Sequence, residues 1–167
     1  IKLISAGDSS NTVIDGGGVS SVIYMNPQTA TIDTTTEIQG FKITNGGNVI
    51  NGGGIYCYNA GIKISNSVIT NNSIANTTGN RTDVDGGGIF VSESSLILNN
   101  STISNNITET DNASTHGGGI YAYGSHLIFE NIVITGNRSD QGGGLQWAQS
   151  HGSINGSTIE YNIADGI

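Results

Sequence analysis

The side chains with the strongest chemistry in this 167-residue chain crowd into three short stretches, each just ahead of a glycine triplet. Arg81, Asp83 and Asp85 stand in residues 73–85, Glu109, Asp111 and His116 in residues 107–116, and Arg138 and Asp140 in residues 138–141. Carboxylates that face one another can serve as general acid and base. Aspartate oxygens are hard ligands suited to calcium, and Asp83, Asp85 and Asp111 are the candidates for it. Directly after the triplets come aromatic rings: Tyr56 and Tyr58, Phe90, then Tyr121 and Tyr123. Rings repeated at a fixed interval build a surface against which sugar rings stack. The candidate ligand-binding set is therefore Tyr56, Tyr58, Phe90, Tyr121, Tyr123, Asp85 and His116, with a glycan or cell-surface ligand as partner. The competing reading is that the rings only stabilise an exposed sheet through cross-strand contact and that the loops are solvated. No catalytic residue is assigned, because hydrolysis needs two carboxylates on one substrate. Only Asp85 and Asp111, with Arg81 or Arg138 nearby, offer that raw material.

What positions these residues is a repeat. Gly54, Gly88, Gly119 and Gly144 each end a triplet followed by Ile or Leu, and Gly166 with Ile167 begins a degenerate copy. Their spacings are 34, 31, 25 and 22 residues, yet the distance from the third glycine to a recurring Asn (72, 106, 137, 162) is always 18. All variation in length falls between that Asn and the next triplet. The unit is a rigid coil with one corner that accepts insertions, which is how solenoids grow.

Inside the constant arm three short runs alternate apolar and polar residues with the period of a strand. In the first full coil they are Ile55 to Tyr58, Ile62 to Ser65 and Ser67 to Thr70. Stacking the coils gives inward columns of Ile55, Ile89, Ile120 and Leu145; of Ile64, Leu98, Phe129 and Ile154; and of Ile69, Ile103, Ile134 and Ile159. No coil can bury its own apolar face, so the core exists only through neighbours. The expected fold is all-β, a right-handed parallel β-helix of about six coils with three short strands in each. Residues 1–37 form irregular opening coils and residues 38–167 the regular ones, within a single domain. The corner Asn residues fit a ladder in which each side-chain amide bonds the coils above and below. The glycines mark a corner that needs positive φ or close backbone approach, and no helix follows them to complete a phosphate cradle.

The phrases FKITNGG, NGGGIYCYNAGIKISNSVITNN and GGGIYAYGSHLIFENIVITGN resemble the right-handed parallel β-helix repeat family of large secreted proteins. They are also similar to the repeats of polymorphic outer-membrane proteins and to pectate-lyase-like folds. The resemblance covers residues 38–167 well and residues 1–37 loosely, through KLISAG and NTVIDGGG. In pectate-lyase-like families the first-strand sheet lines the substrate cleft, so the resemblance implies a polysaccharide lyase or glycoside hydrolase as the alternative to an adhesive or structural module. The fold hosts both, and does not choose between them.

Composition narrows the partners. Five cations against thirteen carboxylates leave a formal charge of −8, which excludes the basic patch that nucleic-acid binding requires. Lys42 and Lys63 are isolated in sequence, and no polyanion groove is expected from them. Cys57 is the sole cysteine, an inward core residue by its alternation. No apolar run is long enough to cross a membrane, and no membrane insertion is expected. Abundant Asn, Ser and Thr suggest a secreted or surface protein of bacterial or archaeal origin. His126 and His151 stack at the turn between the first two strands and read as surface residues. Nine Asn-x-Ser/Thr sites occur, those at Asn76 and Asn80 within the 73–85 loop. An ice-binding face is disfavoured, since the column Thr44, Thr70, Ser104, Thr135 and Glu160 breaks the regular Thr array. Neither end shows a capping element, so a fragment of a longer protein is expected, with end-to-end contacts to the rest of the chain or to a partner.

Overall fold

The computed structural model describes residues 1–28, 32–76, 83–111 and 113–166. Of the residues singled out above, Asn80, Arg81 and Ile167 lie outside these. Every strand pairing among the described residues is parallel, and no helix occurs among them. Ile and Val dominate the strands because a β-branched side chain packs well on a pleated surface.

Three main sheets run up the molecule. The first stacks Ile23–Met25, Ile55–Tyr58, Ile89–Ser92, Ile120–Tyr123 and Leu145–Ala148. The second stacks Lys2–Ile4, Glu37–Gln39, Gly61–Ser65, Ser95–Asn99, His126–Glu130 and His151–Asn155. The third stacks Val13–Asp15, Lys42–Thr44, Val68–Thr70, Thr102–Ser104, Val133–Thr135 and Thr158–Glu160. This is an all-β parallel β-helix. The three inward columns expected from the sequence pair in register, and their central members, Ile64, Leu98, Ile69, Ile103, Ile55 and Ile89 among them, are fully buried. Burying one such side chain contributes about 1.5–3 kcal/mol, so stacking supplies the main driving force.

The variable corner is less irregular than the sequence suggests. Ser73–Asn76, Ile107–Thr110, Arg138–Ser139 and Ile163–Ala164 form a fourth parallel sheet, and Val84–Asp85 pairs with Thr115–His116. Residues read as loop thus carry short strands wherever two coils run side by side. Opening strands Lys2–Ile4, Val13–Asp15 and Ile23–Met25 pair in the same three sheets as the later coils.

The corners of the constant arm share a pattern: a residue in the left-handed region, then an inward side chain, which is polar except at Phe41, Ala60 and Ile132. Asn71, Asn105, Gly136 and Tyr161 have φ of 55°, 54°, 66° and 54°, and each precedes a ladder Asn. Asn and Gly tolerate that conformation, whereas Tyr does so at a cost. Asn106 Oδ1 accepts hydrogen bonds from Asn72 N and Nδ2 at 3.1 and 2.9 Å. Its own N and Nδ2 donate to Asn137 Oδ1 at 3.0 and 2.9 Å, and Nδ2 also reaches Ile69 O at 3.1 Å. Asn72, Asn106 and Asn137 are fully buried, so the polar column is saturated where it would otherwise be costly. Asn106 and Asn137, although each heads an Asn-x-Ser/Thr site, are therefore unavailable for glycosylation in the folded chain.

Two serine ladders close the other corners. Ala60 N, Ser94 N and Ser125 N donate to the Oγ of Ser94, Ser125 and Ser150 at 3.1, 3.1 and 2.9 Å. Gly40 N and Ser67 N donate likewise to Ser67 and Ser101 at 3.1 and 3.2 Å. The triplets divide their labour. The first glycine of each (52, 86, 117, 142) has positive φ, while the third is closed in by neighbours: a Cβ on Gly88 would meet Gly119 O at 2.5 Å and Asn106 Nδ2 at 2.8 Å.

Lys63 is not isolated. The second-sheet register aligns Lys2, Glu37 and Lys63, and both lysines hold the Glu37 carboxylate, at 3.4 and 3.2 Å. Sequence spacing hid this trio because its members come from three coils. Lys63 and then Lys2 hold the Glu37 carboxyl below its ordinary range.

Candidate functional site

The outward residues of the first sheet form the aromatic column expected from the sequence, with one member more. Tyr24 stacks on Tyr56 (ring centroids 4.8 Å apart, planes at 7°), Tyr56 on Phe90 (5.1 Å, 10°) and Phe90 on Tyr121 (5.7 Å, 16°). Parallel in-register strands enforce this, since equivalent side chains point the same way one strand spacing apart. Stacking has a consequence for recognition: Tyr56 and Phe90 turn their faces to each other, and Phe90 is buried, so these ring faces are not open to a ligand. The second column is interrupted, with Ser92 standing between Tyr58 and Tyr123. Burial, reinforced by Tyr24 and Tyr58, raises the Tyr56 phenol; burial and then the Asp85 carboxylate raise that of Tyr121.

Beside this column runs another, formed by the residue just before each triplet: Asn51, Asp85, His116 and Gln141, bridged pair by pair. Here Asp85 and His116, both in the candidate set, are in direct contact. His116 Nδ1 and Asp85 Oδ1 lie 2.7 Å apart, with both side chains 16% exposed, and the imidazole tilts against the Tyr121 ring at 5.8 Å. Burial pushes the Asp85 carboxyl above its ordinary value, and the His116 hydrogen bond pulls against that rise. A carboxylate bound to one ring nitrogen orients the imidazole and strengthens its other nitrogen as a base.

The calcium set does not come together. Asp85 is held by His116, Asp83 Oδ1 accepts from Ser114 N at 3.2 Å, and Asp111 lines a separate hollow with Asp140 and Arg138. Among the described residues no three His, Cys, Asp or Glu side chains form a group able to hold a metal ion. Asp83 and Asp85 share one loop, whereas Asp111 sits on another of different length that carries it to a separate hollow. Arg138, the described cation of this corner, is taken by Asp165 at 2.8 Å and Glu109 at 3.2 Å.

A cleft of about 490 Å³ opens where the corner meets the aromatic column, lined by Ser20, Ser21, Tyr24, Val49, Ile50, Asn51 and Tyr56. Asn51 Oδ1 is buried there without a hydrogen-bond partner. Of this cleft only Tyr56 was in the candidate set. Tyr24 was detectable, because Ile23-Tyr24-Met25 repeats the Ile-Tyr of Ile55-Tyr56-Cys57, but Ser20, Ser21 and Val22 replace the glycine triplet that announces a coil.

Residues 95–123 match the family model of the Chlamydia polymorphic membrane protein (Chlamydia_PMP) repeat. That stretch spans one turn of the solenoid, from Ser95–Asn99 in the second sheet to Ile120–Tyr123 in the first. No curated protein and no solved structure matches the chain. The repeat is of a kind named for membrane proteins, which supports a surface or outer-membrane repeat module. The chain is a parallel β-helix repeat protein, similar over residues 95–123 to the repeat of Chlamydia polymorphic membrane proteins.

Proposed function

We propose that the chain is a repeat module of a secreted or cell-surface bacterial protein, a stiff scaffold that binds a glycan at its first-sheet face. The observation that carries this reading is the cleft beside Tyr24 and Tyr56. Its walls of ring, Val49 and Ile50 suit the C–H surfaces of a sugar, while Ser20, Ser21 and the unpartnered Asn51 Oδ1 suit its hydroxyls. Among the described residues no Lys, Arg, Asp or Glu lines it, so a neutral sugar fits better than a uronate. Buried ladders on the constant arm keep the coil geometry fixed, as a scaffold requires.

A glycan-array screen tests the reading, using the wild type, a Tyr24→Ala/Ile50→Ala variant and a Tyr121→Ala/Tyr123→Ala variant. Binding should weaken at least tenfold in the first variant and much less in the second. Binding unchanged in both would remove the glycan reading.

The Asp85–His116 pair favours a second reading, in which the same face processes a polysaccharide as a lyase or hydrolase. An imidazole oriented by a carboxylate and placed against a phenol is equipment for proton transfer. Unsaturated or reducing-end products from polysaccharides, lost with His116→Ala, would establish it.

A further inference from the structure

A second set of donor side chains lies outside the aromatic face, at the corner between the first and second sheets. His126 and His151 open neighbouring strands and are direct partners in the parallel register. Their rings stack with centroids 4.7 Å apart and planes at 18°, and both residues are exposed. The same column holds Gly61 and Ser95 in the preceding coils, so the imidazoles adjoin each other as a pair. They border a groove of about 430 Å³ that, among the described residues, also contains Asp33 and Glu93 but neither Lys nor Arg. The Glu93 carboxylate lies close over Gly124, where a Cβ would meet Oε1 at 2.6 Å. Gly124 stands two residues ahead of His126, so this negative charge lies near the pair.

We propose that His126 and His151 together bind one borderline transition-metal dication, of the Zn²⁺, Cu²⁺ or Ni²⁺ type. Imidazole nitrogen is a preferred donor for these ions and a poor one for calcium or magnesium. A metal bound at about 2.0–2.1 Å to each ring needs its two nitrogens about 3 Å apart. Parallel rings on adjacent strands reach that separation by rotating their side chains, with no movement of the backbone. Among the described residues no third His, Cys, Asp or Glu completes a cage, so water fills the remaining positions and the ion stays exchangeable. Asp33 and Glu93 raise the local cation concentration without being assigned as ligands. The site is separate from the Asp85–His116 pair, which belongs to the first-sheet corner.

Calorimetric titration of the folded chain with zinc chloride, repeated with copper(II) and read by electron paramagnetic resonance, tests this. One ion per chain and a copper spectrum with two nitrogen donors are expected. His126→Ala and His151→Ala should each weaken binding tenfold or more, whereas His116→Ala should leave it unchanged. Zinc should also raise the thermal midpoint of the wild type and not that of either variant, which separates loss of the site from loss of the fold. Absence of binding, binding that survives both single substitutions, or binding abolished by His116→Ala would overturn the proposal.

Discussion

Two polar columns climb this solenoid in parallel register and do opposite things. At positions 72, 106, 137 and 162 four successive coils supply Asn, and each amide bonds the next in the same way. At positions 51, 85, 116 and 141 the coils supply Asn, Asp, His and Gln, and only one pair, Asp85–His116, forms a short side-chain contact. A column of identical residues can repeat one hydrogen bond without end, since each amide is both donor and acceptor. A column of different residues has no such repeat and makes pairwise interactions instead. Uniformity therefore marks the part of the coil that holds the fold, and variation marks the part free to acquire chemistry.

The sharpest way to break that contrast is to cut the uniform column. Asn106→Ala removes the acceptor of Asn72 N and Nδ2 and empties a fully buried position. It should destabilise by about 3–5 kcal/mol, or prevent folding, as read by urea denaturation. Gly88→Ala attacks the same column by overpacking, since its Cβ would press on Gly119 O and Asn106 Nδ2; a loss of about 1–3 kcal/mol is expected from the same measurement.

The variable column should respond more gently and with a pH signature. Asp85→Asn should cost about 1 kcal/mol in the acidic range. Because burial raises the Asp85 carboxyl above 3.8 in the folded state, the folded chain binds that proton more tightly than the unfolded chain. Its contribution is full below the ordinary carboxylate value and declines as pH rises through the folded-state value. Asp85→Asn should therefore gain on the wild type as pH rises across that window; urea midpoints that move apart in the other direction would contradict the assignment.

Much of this contrast was legible in the sequence. The constant 18-residue arm gave the inward columns and the Asn ladder because identical spacing forces identical register. The serine ladders at 94, 125, 150 and at 67, 101 follow the same spacing, yet Ser is so common here that they did not stand out. What stayed hidden depended on contacts between coils of unequal length. Asp85 and His116 are 31 residues apart and meet only because Val84–Asp85 pairs with Thr115–His116. The Lys2–Glu37–Lys63 trio and the cleft at Val49 and Ile50 have the same cause. Asp111 was separated from Asp83 and Asp85 by that geometry.

Two smaller tests refine the constant arm. Cys57 is buried, and burial pushes its thiol up to about 11, so a disulfide reagent at neutral pH should label it only after unfolding. Labelling of the native chain on the scale of seconds would mean that the first-sheet core is open. At the other extreme, Tyr161 occupies with φ of 54° a corner that earlier coils give to Asn or Gly. Tyr161→Asn should stabilise the chain by about 0.5–1 kcal/mol, visible as a small rise in thermal midpoint.

Native-state hydrogen exchange compares the two columns most directly in one sample. The amides of Gly46, Asn72, Asn106 and Asn137 donate to ladder Oδ1 atoms, whereas those of Val84, Gly86 and Gly117 bond backbone carbonyls at the variable corner. Asn72 and Asn106 should exchange only through global unfolding, and the Val84, Gly86 and Gly117 amides through local opening of lower free energy. Equal protection in both sets, or faster exchange in the ladder, would contradict the division between a uniform column that holds the fold and a variable one that does not.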